Sequence, residues 1–198
     1  MGAHLTDVLK GFDAIEYFCL FVGYGRSGAS IVGALLDAHP NIAIAHEADV
    51  CRLHKEKPNL RQDRRLLFLH LMLRAGSQGR AGRKQGVYSY AVPAAWQGSS
   101  RDLRVIGDKS AHSVSLYALA EPTLIDELRK WVQIPLRCVH VVRDPFNTIA
   151  TMAHKDSKEW GNISLAQRVD TAINYYFDVS HEGTMAVKKA VSETEWIT

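Results

Sequence analysis

Several signals are missing from this chain, and each absence removes a class of function. The 198 residues hold three cysteines, Cys19, Cys51 and Cys138, odd in number and widely spaced. They offer no disulfide framework and no C-x-x-C metal knuckle, so they read as reduced core residues in a cytoplasmic setting. No apolar run approaches the roughly 20 residues of a membrane span, and the N-terminus lacks a signal peptide's basic-then-apolar order. The nine histidines are scattered, and neither His46-Glu47 nor His181-Glu182 extends into an H-E-x-x-H pattern, so no metal is expected. Repeats and low-complexity tracts are absent too. With 46% apolar and 23% charged residues, the composition is that of an ordinary globular chain, read as one domain over 1–198. Met1-Gly2-Ala3-His4-Leu5-Thr6 formally matches the N-myristoylation pattern.

Charge is present but unevenly spread. Of the net +3, the stretch from Arg52 to Lys84 alone contributes +8, with ten Lys or Arg against Glu56 and Asp63. Two readings stand side by side: a solvated helix with a mobile loop around Gly76 to Gly86, or a basic rim that attracts an anionic ligand. Aromatic residues do not interleave with these charges, which argues against nucleic acid as a partner.

What the chain does have is a glycine-rich turn. FVGYGRSGAS, Phe21 to Ser30, ends an apolar run and opens an apolar helix pattern. Gly23, Gly25 and Gly28 let backbone N–H groups approach an anion, and the following helix points its positive end at the same place. Three templates fit. As G-x-x-x-x-G-K-[ST] the turn keeps Gly23, Gly28 and Ser30 but has Ala29 in the lysine position. As G-x-G-x-x-G it is complete, with Glu47 about 20 residues on, where a dinucleotide fold binds ribose. The third template carries a basic residue inside the turn, as Arg26 is here.

Alternating patterns predict the fold. Strands are expected at Tyr17 to Val22, Ile42 to Ala45, Arg104 to Gly107 and Arg137 to Val142. Helices are expected at Ser27 to Ala38, Arg64 to Leu73, Pro122 to Trp131, Phe146 to His154 and Leu165 to Val179. This alternation implies an α/β fold with three layers, a mostly parallel central sheet flanked by helices, and ligands at the carboxyl ends of the strands. Arg143 falls at such an end, beside a helix that Asp144 caps and Pro145 opens, so it suits a second phosphate. An Arg143 to Asp salt bridge is the plainer alternative.

Together these segments resemble the sulfotransferase family, whose fold is P-loop-like. RSGASIVGALLDAHPNIAIAHE is similar to the RSGTT…LLDAHP…E block of tyrosylprotein-type and related bacterial sulfotransferases, with Glu47 twenty-one positions after Arg26. IGDKS resembles the lysine-bearing strand end that contacts the sulfuryl group, and Arg143 with a hydroxyl eight residues later, Thr151, resembles the 3′-phosphate grip. Ala29 and Ser30 replace the common Thr-Thr pair. The chain ends where members of the family begin another core strand, so the resemblance implies a domain lacking its C-terminal part.

The resemblance implies a co-substrate, 3′-phosphoadenosine 5′-phosphosulfate, held by Gly25, Arg26, Ser27, Gly28, Ala29, Ser30, Arg143 and Thr151. Catalysis falls to Glu47 as general base and to Lys109, with His112 as a second base, acting on an unidentified hydroxyl- or amine-bearing acceptor. Three other readings remain open at this point: a dinucleotide-dependent oxidoreductase, a P-loop phosphotransferase using Asp108 or Asp144, and an inactive nucleotide-binding fragment.

Overall fold

The computed structural model of the chain describes residues 9–155 and 160–198, so the Met1 to Thr6 motif lies outside the described residues. After β1 (Tyr17–Val22), helix α1 (Ala29–Leu36) leads to β2 (Ile42–His46), then α2 (Val50–Glu56) and α3 (Arg64–Arg80). A small antiparallel hairpin follows, β3 (Lys84–Gln85) and β4 (Tyr88–Ser89). Next come β5 (Val105–Lys109), α4 (Ala111–Ala120), α5 (Leu124–Val132), β6 (Leu136–His140) and α6 (Pro145–Lys155). The chain closes with α7 (Leu165–Asn174), a π-helical stretch Tyr175–His181, α8 (Glu182–Ala190) and β7 (Trp196–Ile197).

The five longer-range strands form one parallel sheet in the order β2-β5-β1-β6-β7. Its central strand is YFCLFV, apolar on both faces because both faces are covered. Phe18, Leu20 and Val22 point into the larger core, with Leu67, Phe68 and Leu71 of α3, Val114 of α4 and Leu128 of α5. Cys19 and Phe21 point the other way, with Ala29 of α1, Ile44 and Ala111. A third, smaller cluster gathers Tyr24, Ile149, Met152, Ala172 and Tyr176. All three cysteines are buried and free. Among the described residues no helix is long and apolar enough to cross a membrane.

Several expected boundaries are corrected: the helix expected at Ser27 to Ala38 spans Ala29–Leu36, the strand expected at Arg137 to Val142 spans Leu136–His140, and the helix expected at Leu165 to Val179 turns π-helical after Asn174. The helix expected at Arg64 to Leu73 runs to Arg80, through the glycines read as a mobile loop. Gly76 and Gly79 sit where α3 lies against the 97–98 backbone, and a Cβ at Gly79 would stand 2.3 Å from the Gln97 carbonyl oxygen. The strand expected to end at Gly107 continues through Asp108 and Lys109, both buried. Asp108 is tolerated there because its carboxylate accepts from Ala48 N–H at 2.9 Å and Val50 N–H at 3.0 Å.

The basic stretch is not one surface either. Arg83 is buried, ion-paired with Asp37, and donates to the Ile44 carbonyl at 2.6 Å. Asp37 also accepts from Ile44 N–H at 2.7 Å, while Gln78 spans His46, accepting from its N–H at 2.8 Å and donating to its carbonyl at 2.6 Å. Side chains thus occupy the outer edge of β2, where an unpaired strand would otherwise offer its backbone to another chain.

Candidate functional site

A cleft of about 1320 Å³ opens at the carboxyl ends of β1, β2, β5 and β6. Every site residue expected from the sequence lines it: Gly25, Arg26, Ser27, Gly28, Ala29, Ser30, Glu47, Lys109, His112, Arg143 and Thr151. Residues remote in the chain meet because parallel strands deliver their ends to one side.

The turn after β1 is shaped for an anion. Arg26 has φ 63° and Gly28 φ 96°, so left-handed residues alternate with ordinary ones and turn successive N–H groups toward one side. Gly28 caps α1 with no side-chain hydrogen bond, and its carbonyl accepts from Ile31 N–H at 3.1 Å, which tightens the first turn of the helix. Gly23 has another role than expected. Its N–H donates to the Ser115 hydroxyl at 3.1 Å, so the base of the turn is fastened to α4.

Glu47 and Lys109 form an ion pair within the cleft. Lys109 Nζ lies 2.8 Å from Glu47 Oε1, and the lysine side chain is only 6% exposed against 52% for the glutamate. The lysine stem crosses α1 at Gly33, where a Cβ would stand 3.0 Å from Lys109 Cγ. Burial works to raise the Glu47 pKa, but the Lys109 ammonium and its hydrogen bond, helped by His46 and Gln85, hold it below the ordinary glutamate value. Glu47 is therefore ionised at neutral pH. Beside it, burial and the Lys109 charge depress His46 to about 4, so that imidazole is neutral. Glu47 and Asp49 both adopt left-handed backbone, at φ 52° and 61°, a strained conformation that aims their side chains off the end of β2.

Arg143 donates from Nη1 to the Arg26 carbonyl at 3.1 Å, which joins the second strand end to the anion turn. Thr151 Oγ1 donates back to the Asn147 carbonyl at 2.7 Å, keeping the hydroxyl on the cleft side of α6. His112 Nε2 lies 2.6 Å from the Tyr175 hydroxyl.

Several cleft residues escaped the sequence reading. Gln85, on the hairpin, donates from Nε2 to Glu47 Oε1 at 3.2 Å and meets the Ser30 hydroxyl at 3.4 Å, tying the carboxylate to the anion turn. The π-helical stretch sends Tyr175 to His112 and Tyr176 onto Tyr24, with ring centroids 4.5 Å apart. The Tyr24 hydroxyl also meets His181 Nδ1 at 2.8 Å, and burial raises its pKa to about 12. A π turn is a recurrent mark of a functional site, but nothing in the residue types of Tyr175 to His181 distinguishes it from ordinary helix.

The acids considered for metal binding are placed elsewhere. Asp108 is fully buried beneath β2, and Asp144 caps α6 by accepting from Asn147 N–H at 2.8 Å. Among the described residues no three His, Cys, Asp or Glu side chains gather as a metal site. No protein-family model and no curated protein matches this chain.

Proposed function

We propose that the cleft binds 3′-phosphoadenosine 5′-phosphosulfate and that the chain transfers its sulfuryl group to a hydroxyl or amine acceptor. The reading is carried by one observation: Arg26, Ser30, Lys109, Arg143 and Thr151 line the same cleft as an ionised Glu47. Two cationic positions, on adjacent strand ends, suit a ligand with two separated phosphate groups.

In this reading Arg26 and the amides from Gly25 to Ser30 hold the 5′-phosphosulfate, while Arg143 and Thr151 hold the 3′-phosphate. The acceptor atom forms a bond to sulfur as the bond from sulfur to the bridging oxygen breaks. Its proton passes to Glu47, and Lys109 offsets the charge that develops on the bridging oxygen. Adenosine 3′,5′-bisphosphate leaves. The transferred group carries less negative charge than a phosphoryl group, so side-chain cations and amides are adequate partners for it.

Particular residues weigh against the rivals. In a dinucleotide fold the second strand lies beside the first, whereas here β5 separates β2 from β1. A P-loop phosphotransferase needs the lysine that Ala29 replaces, and both of its proposed acids are committed elsewhere. Calorimetry with adenosine 3′,5′-bisphosphate, NAD and ATP tests the reading. Binding of the bisphosphate alone is expected; preference for NAD or ATP overturns it, and no binding leaves the chain a nucleotide-free fragment.

A further inference from the structure

One wall of the cleft is built from α1, the β3–β4 hairpin and the 90–98 loop, which pack as a unit. Ser30 meets Gln85, Gln97 Nε2 donates to the Ala34 and Tyr90 carbonyls at 2.8 and 3.0 Å, and Trp96 N–H donates to the Ala38 carbonyl at 3.1 Å. The rim of this wall carries exposed apolar side chains. Val87 at the hairpin tip is 94% exposed, and Ile31, Leu35, Tyr88 and Trp96 are exposed as well. Apolar groups at a hairpin tip add nothing to the core, and their concentration on one wall marks a contact surface.

The charge on the same wall has one sign. Across residues 80–101 the sequence contains no Asp or Glu, but Arg80, Arg83, Lys84 and Arg101, of which Arg83 is buried against Asp37. Arg80, Lys84 and Arg101 are exposed, and the Arg101 guanidinium lies over the Trp96 ring at 6.0 Å. The nearby acids are already engaged: Asp37 with Arg83, Glu47 with Lys109, Asp49 with Arg52, and Asp102 with Arg104.

We infer that this wall docks on an anionic lipid bilayer. Val87 and Tyr88 enter the headgroup region, Trp96 sits at its boundary, and Arg80, Lys84 and Arg101 face lipid phosphates and carboxylates. A soluble polyanion would use the cations but gain nothing from Val87, Ile31 and Leu35. Because Ile31, Val87 and Tyr88 also line the cleft, docking sets the cleft mouth at the bilayer surface. The inference stands apart from the sulfuryl-transfer reading, since its test uses no nucleotide.

The test is sedimentation of the chain with vesicles of phosphatidylcholine alone or mixed with phosphatidylserine. Binding is expected to the mixed vesicles, with release at high salt. Lys84→Glu should weaken it at least about fivefold. Val87→Asp should weaken it too, while Val87→Leu preserves it; both positions are exposed, so melting temperatures should match the parent chain. Equal binding to both vesicles, binding to neither, or undiminished binding by Lys84→Glu and Val87→Asp overturns the inference. Retention on heparin without vesicle binding also overturns it and assigns the wall to a soluble polyanion.

Discussion

At the scale of single residues, the proposed sulfuryl transfer turns on a carboxylate, Glu47, kept ionised by a buried lysine. Glu47→Gln removes the proton acceptor but keeps the shape and the hydrogen bonds to Lys109 and Gln85. Transfer should fall by at least about a hundredfold, while calorimetric binding of adenosine 3′,5′-bisphosphate persists; unchanged turnover refutes Glu47 as base. In the proposed reaction Gln85 is a positioning residue, since it donates to Glu47 at 3.2 Å. Its hydrogen bond helps hold the Glu47 pKa down. In Gln85→Ala the acid limb of the kcat/KM profile should therefore move to higher pH, and a profile that only drops in height would reduce Gln85 to a packing role. The shared placement of Glu47, Lys109, Arg26 and Arg143 along one cleft was legible because each stands at or just after the end of a parallel strand. Gln85 was not, since its partner lies across the cleft on a segment without pattern.

At the scale of elements, small residues decide where helices approach other backbone. Gly79 brings the end of α3 onto Gln97, and Gly183 brings α8 onto Ser115, whose carbonyl oxygen a Cβ would meet at 2.0 Å. Gly79→Ala should cost about 1–3 kcal/mol through this overlap, despite the better helix propensity of alanine; thermal melting beside an exposed control, Ser77→Ala, measures it. The same feature explains a sequence error: glycines at Gly76 and Gly79 look like a loop when only propensity is read. Helix α4 was missed for a related reason. Its buried face, Ala111, Val114, Ser115 and Ala118, has helical spacing but is small and partly polar, so it leaves no apolar stripe. Strand β1, by contrast, was legible to the residue, because a strand covered on both faces needs an unbroken apolar run.

At the scale of the whole molecule, partly desolvated imidazoles set the response to acid. Burial is the leading cause that depresses His46, His54, His70 and His140, with His46 reaching about 4 from an ordinary 6.5. Between those values the unfolded chain takes up protons that the fold refuses. Stability should thus be highest above about pH 6.5 and decline below it, with His46 contributing up to about 1.4 kcal/mol per pH unit and the other three adding in the same direction. The lowered carboxyls of Glu47, Asp63 and Glu195 add to the loss at still lower pH, whereas the raised carboxyls of Asp37 and Asp108 act in the opposite sense. Urea titrations across this range check the slope; a flat profile down to pH 5 contradicts it. The strand order has a different consequence, in time. The central strand pairs Tyr17 with Val105 and Phe18 with Leu136, so its partners are the third and fourth strands of the sheet to be synthesised. During synthesis the most apolar strand has no neighbour until most of the chain has emerged, and its six residues stay exposed to chaperones and to other nascent chains for that whole interval.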